Sequence, residues 1–354
     1  MTDNRQMDHR TPRPELYNVP FTTDSFNGMP YRALGQSGLR ASAIGLGTWK
    51  FGYPETGDGA RVDEKTAFAI FDRAIELGVT FWDTANRYNA ASGNSERVIG
   101  AWLARNPAQR RNVVIATKVF GGMDGRTPNH SGLSRLNILE SVYACLDRLQ
   151  VDAIDLLYFH RFDPGVPAEE SLCAIEDLTR QDVVRYFGVS NFTVDQLALY
   201  RATAQSLSPR CRVIAVQNQF DILHGEPAAH TGVLDYAART GISFVAWSPL
   251  AGGLLTERYL APSKAGPGDR LFDEGALSAA ANEQTLGRLR RLAELARAWG
   301  IELSQLALAY MLALPGMEPA IPAASSVAQL ESNAAAGKVT LDDEQRRQVR
   351  EALQ

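Results

Sequence analysis

The stretch that decides the fold is Phe81-Trp82-Asp83-Thr84-Ala85-Asn86-Arg87-Tyr88. An apolar run that begins at Val79 ends there, first at a carboxylate and then at a phenol. A strand buried on both faces offers no favourable place for an acid. The position of Asp83 at the end of such a strand therefore predicts a functional site.

The same pattern recurs along the chain. The apolar run 112–117 ends at Lys118, and the run 154–159 ends at His160. Later runs end in the same way, at Ser190-Asn191, Gln217-Asn218 and Trp247-Ser248-Pro249-Leu250. Helix starts are predicted between these runs, near Asp63, Ser95, Ser134, Pro167 and Thr193. Polar groups at the C-terminal ends of successive strands predict a (β/α)8 TIM barrel with its site on that rim.

The chain is expected to divide into a flexible extension and one domain. Residues 1–28 are polar and contain prolines, which is typical of a loosely ordered segment. Residues 29–354 are predicted to form the single barrel, with a β-hairpin over 31–41 at its bottom and a first strand over 43–49. A long Gly- and Pro-rich loop, 256–280, follows the seventh strand, and both a functional lid and simple disorder fit it.

Composition narrows the class of protein. The chain has 354 residues, 45% of them hydrophobic, and a net charge of -4, which argues against a nucleic-acid partner. No apolar run reaches the ~20 residues of a membrane span, and the N-terminus lacks an apolar signal core. Three scattered cysteines and five histidines show no metal-ligand spacing, so no metal is expected and a reducing cytoplasm fits best. The sequence carries no evidence on oligomeric state.

In this order the strand-end motifs resemble those of aldo-keto reductases, over nearly all of residues 30–345. The resemblance rests on Asp83-Thr84-Ala85-x-x-Tyr88, Ala116-Thr117-Lys118, Asp155-Leu156-Leu157-x-x-His160, Gly188-Val189-Ser190-Asn191-Phe192, Gln217-Asn218, Trp247-Ser248-Pro249-Leu250 and Ile321-Pro322-Ala323-Ala324-Ser325. It implies that a small carbonyl compound is reduced with hydride from a nicotinamide cofactor.

The resemblance implies a catalytic tetrad of Asp83, Tyr88, Lys118 and His160. Hydride addition to a carbonyl leaves an alkoxide, and a phenol with a pKa near ~10 is a slow proton donor at neutral pH. The ammonium of Lys118 is expected to lower that pKa, and Asp83 to keep Lys118 charged. His160 is expected to hydrogen-bond the substrate oxygen. A structural ion pair between Asp83 and Lys118 is the plainer alternative.

The cofactor site must differ from a Rossmann fold, because G-x-G-x-x-G does not occur. The resemblance implies a nicotinamide site formed by Trp49, Ser190, Asn191, Gln217 and Trp247. It implies a pyrophosphate site along Ser248, Pro249, Leu250, Gly252, Leu254 and Arg258, with the lid residues Lys264 and Arg270 as further candidates. It implies an adenosine site at Ala323, Ser325, Gln329 and Asn333.

The adenosine end departs from the usual family pattern. No Lys or Arg occurs from Pro315 to Gly337, where many relatives carry a basic residue that binds the 2′-phosphate of NADPH. Serines at a helix N-terminus also bind phosphate through backbone N–H groups. The expected cofactor is NADP(H), on family grounds, with NAD(H) as the alternative.

The substrate site is expected at four aromatic residues near strand ends, Trp49, Trp82, Phe120 and Phe162. Arg87 and Arg161 flank tetrad residues and suit either an anionic substrate or, as the simpler expectation, local salt bridges. Two other functions compete with carbonyl reduction. One is a cofactor-binding regulatory subunit similar to potassium-channel β subunits, and the other is a Schiff-base enzyme that uses Lys118 as its nucleophile.

Overall fold

Three short strands lie ahead of the barrel in the computed structural model of the chain, which describes residues 24–123, 125–261 and 265–354. They are β1 Ser25–Phe26, β2 Met29–Ala33 and β3 Arg40–Ser42, and each pairs antiparallel with the next. The predicted hairpin is therefore confirmed. The C-terminal boundary predicted for the extension 1–28 was too late, because β1 already pairs with β2. Residues 1–23 lie outside the described residues.

This small sheet covers one end of the barrel. Leu34, in the turn after β2, is fully buried among residues of the barrel interior such as Leu156 and Val245. The next residue, Gly35, lies against the barrel so closely that a Cβ there would be 2.3 Å from the carbonyl oxygen of Ile214. The turn therefore closes the end opposite the C-terminal ends of the strands.

Eight parallel strands follow in sequence order around the barrel. They are β4 Leu46–Gly47, β5 Phe81–Asp83, β6 Val114–Val119, β7 Ile154–Phe159, β8 Val184–Ser190, β9 Val213–Gln219, β10 Ser243–Trp247 and β11 Met317–Ile321. Bridges between Ile44 and Ala320 and between Gly47 and Ala323 join the first strand to the last. The predicted (β/α)8 TIM barrel is confirmed.

Ten longer helices cover the barrel. They are α1 Glu64–Glu76, α2 Asn94–Arg105, α3 Arg135–Leu149, α4 Ala168–Arg180, α5 Val194–Leu207, α6 Val233–Thr240, α7 Glu283–Ala298, α8 Leu303–Leu312, α9 Val327–Ala336 and α10 Asp343–Ala352. Asp63, Ser134 and Thr193 cap their helices with side-chain hydrogen bonds, as predicted. The helix predicted to start near Ser95 begins one residue earlier, at Asn94, and the Ser95 hydroxyl is buried rather than capping it.

The side chains of β5 alternate between the inside and the outside of the barrel, and this alternation places some of them in the core and one in the site. Phe81 belongs to the cluster inside the barrel, whereas Trp82 points outward and stacks on Phe71, with ring centroids 4.4 Å apart. Asp83 again points inward, at the C-terminal end of the strand. One strand thus contributes to the inner core, the outer core and the site in three successive residues.

The long interval between β10 and β11 is only partly a loop. Two short helices, Arg270–Asp273 and Leu277–Ala280, lie within the predicted loop. Helix α7 occupies much of the remainder and was not recognised from the sequence. Lys264, a predicted lid residue, lies outside the described residues.

Candidate active site

The four predicted tetrad residues meet at the C-terminal rim of the barrel. Nζ of Lys118, which is 1% exposed, lies 2.6 Å from Oδ1 of Asp83 and 2.8 Å from the hydroxyl oxygen of Tyr88. It also donates to the carbonyl oxygen of Thr84 at 2.8 Å. The ring of His160 approaches that of Tyr88 edge-on, with centroids 6.1 Å apart.

The three contacts of Lys118 favour its ammonium form. An ammonium group has three hydrogens, and three acceptors surround this one. Burial lowers the pKa of Lys118 and raises that of Asp83, while their mutual contact shifts each pKa in the opposite direction. A Schiff-base nucleophile needs a free amine, and this arrangement provides none.

The second carboxylate oxygen of Asp83 is bound by Gln217. Nε2 of Gln217 donates to Oδ2 of Asp83 at 2.7 Å, and both side chains are buried. Each oxygen of the carboxylate therefore has its own strong donor. Gln217 was expected to bind the nicotinamide, and although it lines the cleft, its amide nitrogen is already engaged with Asp83.

Tyr88 holds its proton firmly. Burial and the nearby Asp83 carboxylate raise the pKa of Tyr88 well above its ordinary value of 10.0. The net lowering expected beside Lys118 is not found, because burial and the neighbouring Asp83 carboxylate outweigh the favourable contact of the ammonium with the phenol oxygen. Lys118 donates to the phenol oxygen, and the phenol itself donates to Oδ1 of Asp83 at 3.5 Å, a bond at the limit of hydrogen bonding that a closer acceptor could replace.

His160 is neutral at physiological pH. Burial first, and then the positive charges of Lys118, Arg87 and Arg161, lower the pKa of His160 from 6.5 to about 3. A neutral imidazole carries one N–H donor. His160 can therefore donate a hydrogen bond beside Tyr88 without adding charge.

The residues predicted at the nicotinamide are linked to one another. Asn191 has a left-handed backbone with φ 57°, and its Nδ2 donates to the carbonyl oxygen of His160 at 2.9 Å. Its Oδ1 accepts from the indole nitrogen of Trp247 at 3.3 Å, and the Ser190 hydroxyl donates to the carbonyl oxygen of Gln217. One cleft is lined by Ser190, Asn191, Gln217, Trp247 and Trp49 together with Asp83, Tyr88 and His160.

This cleft continues from the tetrad to helix α9 and has a volume of about 2180 Å³. Its polar groups and left-handed Gly252 provide a lining suited to an extended dinucleotide. The predicted residues along its course and at its far end are Ser248, Pro249, Leu250, Gly252, Arg258, Ala323, Ser325, Gln329 and Asn333. Leu254 was wrongly placed in this site, because its side chain is 2% exposed and packs in the core.

The two arginines predicted near the pyrophosphate already have protein partners. Arg258 pairs with Asp269, and Arg270 pairs with Glu274 at 3.1 Å. The guanidinium of Arg270 also lies 4.8 Å from the ring centroid of Trp49. A phosphate would thus share these guanidinium groups with carboxylates.

Three of the four predicted substrate residues line the cleft: Trp49, Phe120 and Phe162. The prediction for Trp82 was wrong. Its side chain is fully buried on the outside of the barrel, between Phe71 and Trp102, and its indole nitrogen donates to the carbonyl oxygen of Val79. Side chains two residues apart on a strand share a face, whereas adjacent side chains lie on opposite faces. Trp82 is adjacent to Asp83 and therefore points away from the site.

Sequence reasoning missed a carboxylate at the far end of the cleft. Glu302 caps helix α8, and its Oε2 accepts hydrogen bonds from the hydroxyls of Ser304 and Ser332. All three side chains line the cleft beside Asn333. The signal in the sequence was the capping pair Glu302 and Gln305, which by itself indicates only a helix start.

Other functional classes receive no support from the described ranges. Among residues 24–123, 125–261 and 265–354, no His, Cys, Asp or Glu group is arranged to hold a metal ion. Within those same ranges, no helix has the length and apolar character needed to cross a bilayer.

Comparisons with known proteins show the family of this chain. The model of the "Aldo/keto reductase family" matches residues 43–354. An uncharacterized oxidoreductase of Bacillus subtilis, YrpG, is 36% identical over 323 residues, covering 89% of this chain and 93% of that protein. The aldo-keto reductase AMT2 of Alternaria alternata is 33% identical, covering 79% of this chain and 80% of that protein.

A relative with a different name is nearly as similar. A probable voltage-gated potassium channel subunit beta of Arabidopsis thaliana is 31% identical over 309 residues, which cover 86% of this chain and 90% of that protein. The family match spans far more than half of the chain, and these relatives align over most of their own lengths. The chain therefore belongs to the aldo/keto reductase family.

Proposed function

We propose that this protein reduces aldehydes or ketones to alcohols, with Tyr88 as the general acid. The observation that carries the proposal is the 2.8 Å contact in which Lys118 donates to the phenol oxygen. That contact favours the phenolate that forms when the proton leaves, and the phenol's own hydrogen bond, donated to Oδ1 of Asp83 at 3.5 Å, is long enough for a substrate oxygen to replace it.

Each residue has a distinct part in this reaction. Reduced nicotinamide supplies the hydride that forms the new C–H bond at the carbonyl carbon. Tyr88 gives its proton to the carbonyl oxygen, and Lys118 stabilises the resulting phenolate until solvent returns a proton. Neutral His160 donates a hydrogen bond to the same oxygen, and Asp83 keeps Lys118 charged.

The proposed cofactor is NADP(H), with NAD(H) as the weaker ligand. Ser190, Asn191 and Trp247 would hold the nicotinamide, and the lining around Leu250 and Gly252 would hold the pyrophosphate. At the far end, the Ser325 hydroxyl lies at the start of α9, where backbone N–H groups favour a phosphate. Arg270 lines the same cleft and would add positive charge.

The test is the oxidation of NADPH and of NADH, followed by absorbance, with a panel of neutral and anionic aldehydes. We expect oxidation that depends on the aldehyde and a lower KM for NADPH than for NADH. A lower KM for NADH would contradict the cofactor preference, and cofactor oxidation without any aldehyde requirement would contradict the reductase.

We also propose a cytoplasmic location, which the free thiols of Cys145, Cys173 and Cys211 support.

The similarity to potassium channel β subunits favours a second candidate, a cofactor-binding regulatory partner with little turnover. The same assay separates the two. Tight binding of NADPH, seen as a change in its fluorescence, without turnover of any aldehyde would favour regulation.

A further inference from the structure

Two arginines stand at the opening of the cleft, each next to a tetrad residue in sequence. Arg87 precedes Tyr88, and Arg161 follows His160. Both are exposed, and both line the cleft together with Phe120, Tyr88 and His160.

The two side chains lie on the same short segment. Arg87 packs over Gly121, where a Cβ would be 2.3 Å from its Cδ and 2.6 Å from its Nη1. The guanidinium of Arg161 lies 5.5 Å from the ring centroid of Phe120. Because Phe120 and Gly121 are consecutive at the end of β6, the two guanidinium groups occupy one side of the opening.

Neither guanidinium has a carboxylate partner within the described ranges 24–123, 125–261 and 265–354. The local salt bridges expected for them are absent there. The other arginines of the cleft differ, because Arg61 pairs with Asp273 at 3.1 Å, and Arg258 and Arg270 are paired as described above. The opening thus combines neutralised cations on one side with a pair of free ones beside the reacting groups.

The positive field of these two arginines reaches the reacting groups. Arg87 and Arg161 both contribute, after burial and Lys118, to the lowered pKa of His160. Like charges at short range raise the free energy of the site, and a bound anion lowers it. Arginine is also the side chain best suited to binding a carboxylate through two parallel hydrogen bonds.

We propose that the physiological substrate is a carbonyl compound that carries a carboxylate, held by Arg87 and Arg161 while its carbonyl faces Tyr88 and His160. This inference rests on the proposed reductase activity and adds the substrate class. Phe120, which lies under the guanidinium of Arg161, and Phe162 both line the cleft with the arginines, and these aromatic rings suit an aromatic substrate.

The test compares 4-carboxybenzaldehyde and 3-carboxybenzaldehyde with 4-methylbenzaldehyde and 3-methylbenzaldehyde, which match them in shape. We expect kcat/KM to be at least about tenfold higher for one carboxylate isomer than for its methyl partner, mainly through KM. Arg87→Gln and Arg161→Gln are each expected to reduce this ratio by about tenfold. Higher salt should reduce the ratio in the unmodified protein.

The matched control is Arg239→Gln, which also removes one positive charge but from an exposed pair with Asp235 on α6, outside the residues that line the cleft. It should keep the ratio. A ratio near one in the unmodified protein, or a ratio that both cleft variants preserve, would overturn the inference while leaving the reductase intact.

A separate binding measurement makes the anion site testable without turnover. Calorimetry with 4-carboxybenzyl alcohol and 4-methylbenzyl alcohol, in the presence of NADPH, to which an alcohol cannot transfer hydride, should show tighter binding of the carboxylate and loss of that difference in Arg161→Gln. Absence of turnover with every aldehyde would contradict the reductase. Equal binding of the two alcohols would contradict the anion site.

Discussion

Nε2 of Gln217 lies 2.7 Å from Oδ2 of Asp83, on the opposite side of the carboxylate from Lys118. The side chain from β9 thus holds the acid of β5 across the barrel. Because the bond favours the charged carboxylate, it lowers the pKa of Asp83 against the effect of burial. The bond to Oδ2 also holds the carboxylate in the orientation in which Oδ1 accepts from Lys118.

We predict that Gln217→Leu lowers the free energy of unfolding by about 1–3 kcal/mol, because a buried carboxylate loses a donor. The turnover number should fall as well, since Asp83 no longer holds Lys118 in place. Urea unfolding and steady-state kinetics check the two effects. The control is Gln205→Leu on the exposed surface of α5, and equal stability of the two variants would contradict this role of Gln217.

The second prediction concerns pH. A general acid acts in its protonated form, so the raised pKa of Tyr88 keeps the active form beyond neutral pH. The pKa of His160, lowered to about 3, keeps its imidazole neutral above that pH. We expect the turnover number for a neutral aldehyde to stay nearly constant between about pH 5 and pH 8. An inflection near pH 6.5 would show that His160 titrates normally, contrary to this account.

The third prediction compares two tryptophans. Trp82 is fully buried between Phe71 and Trp102, whereas Trp49 is 38% exposed at the cleft. Trp82→Ala should lower the free energy of unfolding by about 3–5 kcal/mol, because it leaves a large cavity. Trp49→Ala should cost far less stability and raise KM instead. Thermal unfolding and kinetics separate them, and a stable Trp82→Ala with a raised KM would restore the original assignment of Trp82 to the substrate site.

A buried ion pair behind β6 gives a fourth prediction. Nε of Arg148 lies 2.7 Å from Oε2 of Glu96, and the hydroxyl of Thr117, next to Lys118, donates to Oε1 at 2.6 Å. Glu96 is fully buried. Arg148→Met should lower the free energy of unfolding by about 3–5 kcal/mol, because it leaves an uncompensated carboxylate in the core.

Adding Glu96→Gln to Arg148→Met should recover much of that loss. The neutral amide needs no counter-ion, and its oxygen still accepts from Thr117. Urea unfolding of both single variants and the double variant measures the coupling. Additive losses would mean that the two side chains do not stabilise the fold as a pair.

The sequence predicted the barrel well because the relevant signal is periodic. Apolar runs that end in polar residues at intervals near 30 residues mark strands, and the structure brings those ends to one rim. Trp82 was misassigned because closeness in sequence to Asp83 was taken as closeness in space. Because side chains alternate along a strand, the residue next to Asp83 points to the other face, and this rule places Trp82 in the core.

Other features of the site have no local signature. The contact between Gln217 and Asp83 joins residues 134 positions apart, so it depends on barrel closure. That Arg87 and Arg161 have no carboxylate partner among the described residues depends on how distant segments pack at the opening, which residue types alone do not give. The raised pKa of Tyr88 depends on its burial beside Asp83, which residue types alone do not give.

The central claim is that the phenol of Tyr88 protonates a carbonyl oxygen. The most direct measurement is carbonyl-dependent oxidation of the reduced cofactor by Tyr88→Phe, with cofactor binding followed by fluorescence and the exposed Tyr143→Phe as the matched control. We predict that Tyr88→Phe binds cofactor normally but loses about 10²–10⁴-fold in turnover number. Near-normal turnover by Tyr88→Phe would contradict the account.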